Sequence, residues 1–486
     1  MNKFLRRFVS AAAAALLTLP AFAADAPGKD RAASALTGGR VIVAPGKVID
    51  PGVVVVRGGV LEAVGPAATT AIPADARVID VRGKVVHAAY VDPFVSVDRL
   101  AGKSPRKPPD EESSESGRAA RRASGPAVHP AAAARAEERV VDALVVKDDV
   151  ADSYRRLGFA VAAAAPSGGV LRGSGAIVTF AEASGPGRLL VPAANQYVTL
   201  EPEPDASDYP VSKMGAVALA RQSFLDALWW RDAEAAYAAQ PSGQARPPYV
   251  ASSAALVPAA EGKELVVFEA DDVLGLLRAT RVAKILKARA LFVGAGDEYR
   301  LLPEVAAARP DLVLRVAFPQ PEKVGRDEEW LDVPLTKLEA YDRAPSNPKW
   351  LRDAGLEFSF TTAGLEDAAD FPARVREAMT RGLSADDALA AVTVVPARQL
   401  GLSDRLGTLA PGKIANLVVE TGAPFAEKSR VTEIWIDGAR VEIPAEKTDK
   451  KASPASPGDA PKSDVRPAPA RAAGPVAAPP AVVVRG

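Results

Sequence analysis

The chain has two histidines, His87 and His129, and no cysteine among its 486 residues. A metal centre built on three or four imidazoles cannot be assembled from one copy of it, and thiolate nucleophiles, disulfides and Cys-ligated zinc or iron–sulfur sites are excluded. What remains for acid–base or metal chemistry is carboxylate: Asp92, Glu269, Asp297 and Glu298. A hard cation such as magnesium or calcium wants six or more oxygens, and these four are not grouped in a loop motif. His87, in the run VVHAAY, reads as a packed structural histidine, and His129 has no sequence neighbour to activate it. Ser174 sits in GSG without the Gly-x-Ser-x-Gly elbow or a base that a serine nucleophile needs. The glycines of PSGGVLRGSGAIV (166–178) offer a second kind of chemistry. Gly168, Gly169 and Gly173 let backbone N–H groups approach an anion, with Arg172 beside them. The plainer reading is a tight turn between buried strands, since no helix start follows directly. Trp229 and Trp230 are adjacent, so on a helix they face different ways, one to the core and one to a ligand or interface.

Lysine plus arginine and aspartate plus glutamate number 60 each, so no net charge draws the chain to nucleic acid. Residues 1–23 combine Lys3, Arg6 and Arg7, an apolar run and Ala21-Phe22-Ala23, the pattern of a secretory signal. The expectation is a periplasmic or secreted protein without membrane attachment after cleavage. Residues 446–486 are Pro/Ala-rich and read as a disordered tail, and 101–137 has the same character and reads as a flexible insertion.

Short β-rich runs separated by turns fill 36–86 (RVIVAPG, VVVVRGG, VLEAVGP, ARVIDVRGKVV), and more follow at 400–445 (LGTLAPGKIANLVVE, VTEIWIDGARVEI). Neither set makes a stable sheet alone, so the two are expected to pair as one composite β-sandwich. Between them, at 87–399, apolar strand-like runs (159–166, 175–180, 264–270, 288–296, 311–319, 356–362) alternate with helical stretches near 212–238, 271–287, 298–308 and 371–381. Such alternation predicts an α/β fold, a parallel (β/α)8 TIM barrel.

VIVAPGKVIDPGVVVVRGGVLEAVGP, IPADARVIDVRGKVV and YVDPF at one end, with LSADDALAAVTVVPARQLGLSDRLGTLAPGKIANLVV at the other, resemble the amidohydrolase superfamily in its imidazolonepropionase-like and dihydroorotase-like branch. The resemblance implies the barrel, and metal-dependent hydrolysis of non-peptide carbon–nitrogen bonds. It also implies one or two divalent metals such as zinc, held by a His-x-His pair after the first strand, two further His, an Asp and often a carboxylated Lys. At those positions this chain keeps Asp92 but has Phe94 and Ser96 for the pair, Glu269 and Gly294 for the later histidines, and Ala363 for the aspartate. The expectation is therefore a family member without a metal cofactor, a non-catalytic pseudoenzyme or the partner of a metal-intact amidohydrolase relative. Two alternatives remain open: an active hydrolase with an atypical carboxylate or metal site on Asp92, Glu269 or Asp297, and a module binding a small ligand or peptide. The place of 101–137 after the first barrel strand would let it cover the mouth.

Overall fold

A computed structural model describes residues 32–103, 129–182, 185–203, 206–321 and 332–444. The signal-like segment 1–23, residues 104–128 of the expected insertion and the tail 446–486 lie outside the described residues.

Five strands open the chain: β1 (Ser34–Ala44), β2 (Lys47–Arg57), β3 (Val60–Pro66), β4 (Arg77–Asp80) and β5 (Val85–Ala88). Eight follow in the middle: β6 (Tyr90–Ser96), β7 (Phe159–Ala165), β8 (Leu171–Thr179), β9 (Leu189–Thr199), β10 (Leu265–Glu269), β11 (Arg289–Gly294), β12 (Leu312–Arg315) and β13 (Phe358–Thr361). Three close it: β14 (Leu417–Glu420), β15 (Val431–Ile436) and β16 (Ala439–Glu442). The helices are α1 (Val97–Leu100), α2 (Asp148–Arg156), α3 (Lys213–Ala239), α4 (Ala251–Ala260), α5 (Val273–Leu286), α6 (Leu302–Ala308), α7 (Leu335–Arg343), α8 (Asn347–Asp353), α9 (Phe371–Thr380), α10 (Ala385–Ala390) and α11 (Val394–Gln399). Among the described residues no helix is long and apolar enough to cross a membrane.

The terminal strands form one hydrogen-bonded sheet in the order β16-β15-β14-β5-β1-β2-β3, with β4 also paired to β1. The N-terminal and C-terminal sets of strands meet where β14 runs antiparallel to β5, Val418 opposite His87. The sheet folds over, because the β2–β3 turn reaches the β15–β16 turn: a β-carbon on Gly438 would lie 2.6 Å from Gly59 Cα. Leu36, Val54, Leu61, Val86, Leu417 and Trp435 pack in one buried cluster between these strands.

The middle strands follow one another around a barrel sheet, β6 to β13 in sequence order. The sequence predicts a wholly parallel ring, and the structure corrects this at one strand: β8 is antiparallel to both β7 and β9. The cause is connection length. Only residues 166–170 separate β7 from β8, enough for a hairpin and far too few for a helical crossover. β9 carries Pro192 and polar Asn195 and Gln196, which hide it from a search for apolar runs. The remaining neighbours are parallel, and β7 and β13 are buried along their whole length, as strands covered on both faces must be. No backbone ladder joins β13 back to β6 among the described residues. The seam is bridged instead through Val91 N–H to Val392 O (2.8 Å), Phe360 N–H to Ala391 O (2.8 Å) and the Asp92 side chain.

The sequence reads 101–137 as a flexible insertion, and the structure corrects this for its described end: residues 129–137, with 138–139 after them, lie along β8. Val170 and Leu171 donate to Ala133 O, Arg135 N–H to Leu171 O and Ser174 N–H to Glu138 O, and Ala134 and Ala136 are buried. Two alanines among polar residues suffice here because the partner strand supplies the backbone hydrogen bonds.

Candidate functional site

Side chains alternate across a strand, so the residues facing the barrel axis are fixed by any one of them. Phe94, Ala165, Tyr197, Leu265, Val267, Leu291, Val293 and Val313 form one buried apolar cluster, the inward layer. Stepping by two toward the carboxyl ends brings Ser96, Thr199, Glu269 and Arg315 to the mouth on the same inward face. Glu269 opposes Val293 across β10–β11, next to Gly294. The expected site residues Ser96 of β6 and Glu269 of β10 therefore converge on one end of the barrel, whereas Gly294, beside inward Val293, faces away from the axis toward Glu298.

Their bonding leaves little donor capacity over. Asp92, fully buried, accepts from Phe94 N–H (3.1 Å), the Thr361 hydroxyl (2.7 Å), Thr362 N–H (3.0 Å) and the Thr362 hydroxyl (2.7 Å). Burial raises its carboxyl above the usual aspartate range, and these four donors oppose the rise only in part. Phe94 stacks obliquely on Tyr197 with ring centroids 6.0 Å apart, filling the axis. The Ser96 hydroxyl caps α1 by accepting from Arg99 N–H at 3.2 Å. Ala363 is half-buried against the inward layer, its N–H donating to the Thr361 hydroxyl at 3.1 Å.

Glu269 is clamped between two guanidiniums, Arg172 on one carboxylate oxygen and Arg315 on the other. Burial by itself would raise its carboxyl, but the two arginines outweigh that and hold it below the ordinary glutamate range. A group held low contributes stability that is complete above its unfolded value and fades as pH falls through the folded one. Glu269→Gln should therefore cost about 2–3 kcal/mol at neutral pH, the range for hydrogen bonds to a charged group. The difference from wild type should close on acidification below about pH 4. Urea denaturation across pH measures it, and a gap that persists at low pH would contradict the pairing.

At Gly294 a β-carbon would collide with the Glu298 carboxylate, which folds back into that space. Glu298, itself buried, accepts from Gly296 N–H (3.2 Å) and Asn347 Nδ2 (2.6 Å), and burial raises its carboxyl. Asp297 is also raised, by burial first, with Arg300 opposing and Asp272 adding to it. One of its oxygens, Oδ1, is buried without a hydrogen-bond partner.

The glycine loop is a hairpin turn: Gly168 and Gly169 have φ of 84° and 78°. Gly169 N–H is taken by Glu203 (2.7 Å) and Val170 N–H by Ala133 O (2.8 Å). Gly173 (φ 93°) lets the Glu138 carbonyl pass where a side chain would stand. Arg172 points to Glu269 rather than to an anion site in the loop. His87 lies away from the mouth in the terminal sheet, and His129 accepts from Ala131 N–H at 3.0 Å. Arg315, Thr361 and Thr362 are site residues that sequence reasoning misses. The period of β12, with Val313 inward, is the signal that could have found Arg315.

Among the described residues no group of three or more His, Asp or Glu side chains is placed to hold a metal ion. The donor set agrees: one carboxylate already saturated by four donors, one neutralised by two guanidiniums, and an aromatic ring and a glycine in place of imidazoles. These residues do not fit a catalytic zinc.

The sequence profile described as the Amidohydrolase family matches residues 340–441. The amidohydrolase tasK of Hapsidospora irregularis is 34% identical over 103 residues, 21% of this chain and 10% of that protein. Adenine deaminase 2 of Jannaschia sp. (strain CCS1) is 35% identical over 102 residues, 19% of this chain and 16% of that protein. The chain thus spans about a tenth to a sixth of the length of the curated relatives it matches. The crystal structure of an amidohydrolase from Thermotoga maritima MSB8 superposes with a TM-score of 0.64 at 20% identity, covering 84% of this chain and 99% of that one, which shows the shared fold.

Proposed function

We propose that the chain is an amidohydrolase-superfamily member whose hydrolytic metal centre has been replaced by a plug of aromatic rings and mutually paired charged side chains. The observation that carries this is the clamp on Glu269. Arg172 and Arg315 put two positive charges at the barrel mouth, on the carboxylate that stands at a ligand position. A divalent cation there would have to displace both guanidiniums from Glu269 and bind against their positive charge. Phe94 supports the same reading, since a ring offers no lone pair and occupies the volume a metal needs. On this reading the chain is a non-catalytic partner of a metal-intact amidohydrolase, and residues 1–23 direct it out of the cytoplasm. The folded-over terminal sheet then corresponds to the small β-sandwich expected from the sequence.

Two measurements test it. Purified protein incubated with zinc or manganese and then desalted should retain well under one metal per chain. Stoichiometric metal, released on Glu269→Gln, would overturn the proposal in favour of an atypical active site. Mixing with a metal-intact amidohydrolase from the same source should give a complex by sedimentation or a changed hydrolytic rate; neither result would remove the partner role.

A further inference from the structure

A cavity of about 800 Å³ opens on the outer side of the barrel between α3, α4 and residues 129–132. It lies apart from the inward layer, and its chemistry is independent of whether the metal centre is lost. Its walls carry three large rings, Tyr209, Trp229 and Trp230, together with the Asp226 carboxylate and the His129 ring. Two of the rings are pinned. The Trp230 indole N–H donates to Pro248 O at 3.2 Å, with Tyr249 edge-on at 5.9 Å, and the Tyr209 hydroxyl donates to Gly215 O at 3.0 Å. Trp229 is 60% exposed although it projects from the middle of a 27-residue helix. Asp226 is one helical turn from Trp229 and Trp230 and is oriented by Gln222, whose side-chain amide donates to it at 2.6 Å.

We infer that this cavity binds a guanidinium-bearing ligand, an arginine side chain or a derivative of that size. A planar guanidinium lies flat on the exposed Trp229 indole while its N–H fork reaches Asp226, which Gln222 already orients, and the pinned Trp230 and Tyr209 hold the walls around them. The volume falls in the range of small-ligand sites, and the Asp226 carboxylate favours a cation.

The chain contains five tryptophans, so their fluorescence reports occupancy. The full chain is titrated with N-acetyl-arginine amide and with the neutral isostere N-acetyl-citrulline amide. Saturable binding of the arginine probe, with the citrulline probe about tenfold weaker or worse, is expected. Trp229→Ala and Asp226→Asn should each weaken it by about tenfold while leaving the circular dichroism and thermal midpoint close to wild type, since both side chains reach solvent. A blocked Gly-Arg-Gly peptide separates the two sources of the ligand: tighter binding than the single residue assigns the cavity to a polypeptide side chain, and equal binding to a free guanidinium compound. Equal affinity for arginine and citrulline probes, absence of saturable binding, or insensitivity to both substitutions would overturn the inference.

Discussion

Asp92→Ala is expected to destabilise the protein by about 4 kcal/mol, because it strands two buried backbone donors, Phe94 N–H and Thr362 N–H, at roughly 1–3 kcal/mol each. The two threonine hydroxyls lose less. Thr361 also reaches Phe94 O (2.6 Å) and Thr362 reaches the Tyr154 hydroxyl (2.7 Å), so both can re-pair. The strain falls at the barrel seam, where β6 meets β13 without a ladder and one carboxylate ties the first strand to the last. Asp92→Asn keeps one acceptor oxygen but turns the other into a donor that faces a backbone N–H, so it should cost about 2 kcal/mol, one stranded donor instead of two. The pH dependence separates a seam tie from a metal ligand. The folded carboxyl is raised, so in the window above the ordinary aspartate value the folded state still holds a proton that the unfolded chain has released. The wild type should lose stability from this group as pH climbs through that window, and Asp92→Asn, with nothing to titrate, should not. Urea midpoints for the three proteins across pH are the measurement, and a wild-type curve parallel to that of Asp92→Asn would contradict the argument.

That seam also shows where sequence reasoning reaches and where it stops. Asp92 can be found because its neighbours Tyr90, Val91 and Phe94 form an apolar run with one charge in it, and a charge in a buried strand demands partners. The partners cannot be found, since Thr361 and Thr362 lie some 270 positions away and nothing local marks a threonine as a donor. The strand–helix alternation is legible for the same reason that β7 is: seven consecutive buried residues leave a continuous apolar signature. β9 is not, because its first half is half-exposed, with Pro192 and Asn195 breaking the run. The reversal of β8 is a matter of loop length: PSGG reads as a turn, and two strands separated by five residues are antiparallel, which the apolar periodicity by itself does not reveal. At the mouth, the replaced residues at 94, 269 and 294 are visible one at a time, whereas the fact that Arg315 neutralises Glu269 requires the β12 register.

Glu420→Ala should be the other severe substitution, costing about 2–4 kcal/mol, because it leaves the partners of that buried carboxylate on His87, Tyr90 and Ser429 without an acceptor. Glu420 stands on β14 and His87 on β5, so their contact, His87 Nε2 to Glu420 Oε1 at 3.2 Å, fastens the last part of the chain to the first. The same oxygen accepts from the Tyr90 hydroxyl (3.3 Å), the other from Ser429 (2.7 Å), and His87 Nδ1 faces Ala88 O at 2.9 Å. His87 also stacks on Tyr90, ring centroids 5.3 Å apart, and Tyr90 stacks in turn on Phe425. Tyr90 is the first residue of β6, so a fault in this cluster is passed to the strand that carries Asp92 and Phe94. Burial alone would raise the Glu420 carboxyl, but the bonds from His87, Ser429 and Tyr90 leave it lowered. Its contribution is therefore present above the ordinary glutamate value and disappears as pH falls through the lowered one, the opposite sense to Asp92. If the pair is structural, a Glu420→Met, His87→Leu, Tyr90→Phe triple variant should recover most of the loss, because an apolar replacement of similar volume leaves fewer polar groups unpaired. Comparing single and triple variants by thermal and urea unfolding decides it: a triple variant as unstable as Glu420→Ala would mean that the polar cluster itself, and not merely the filled space, holds the two ends of the chain together.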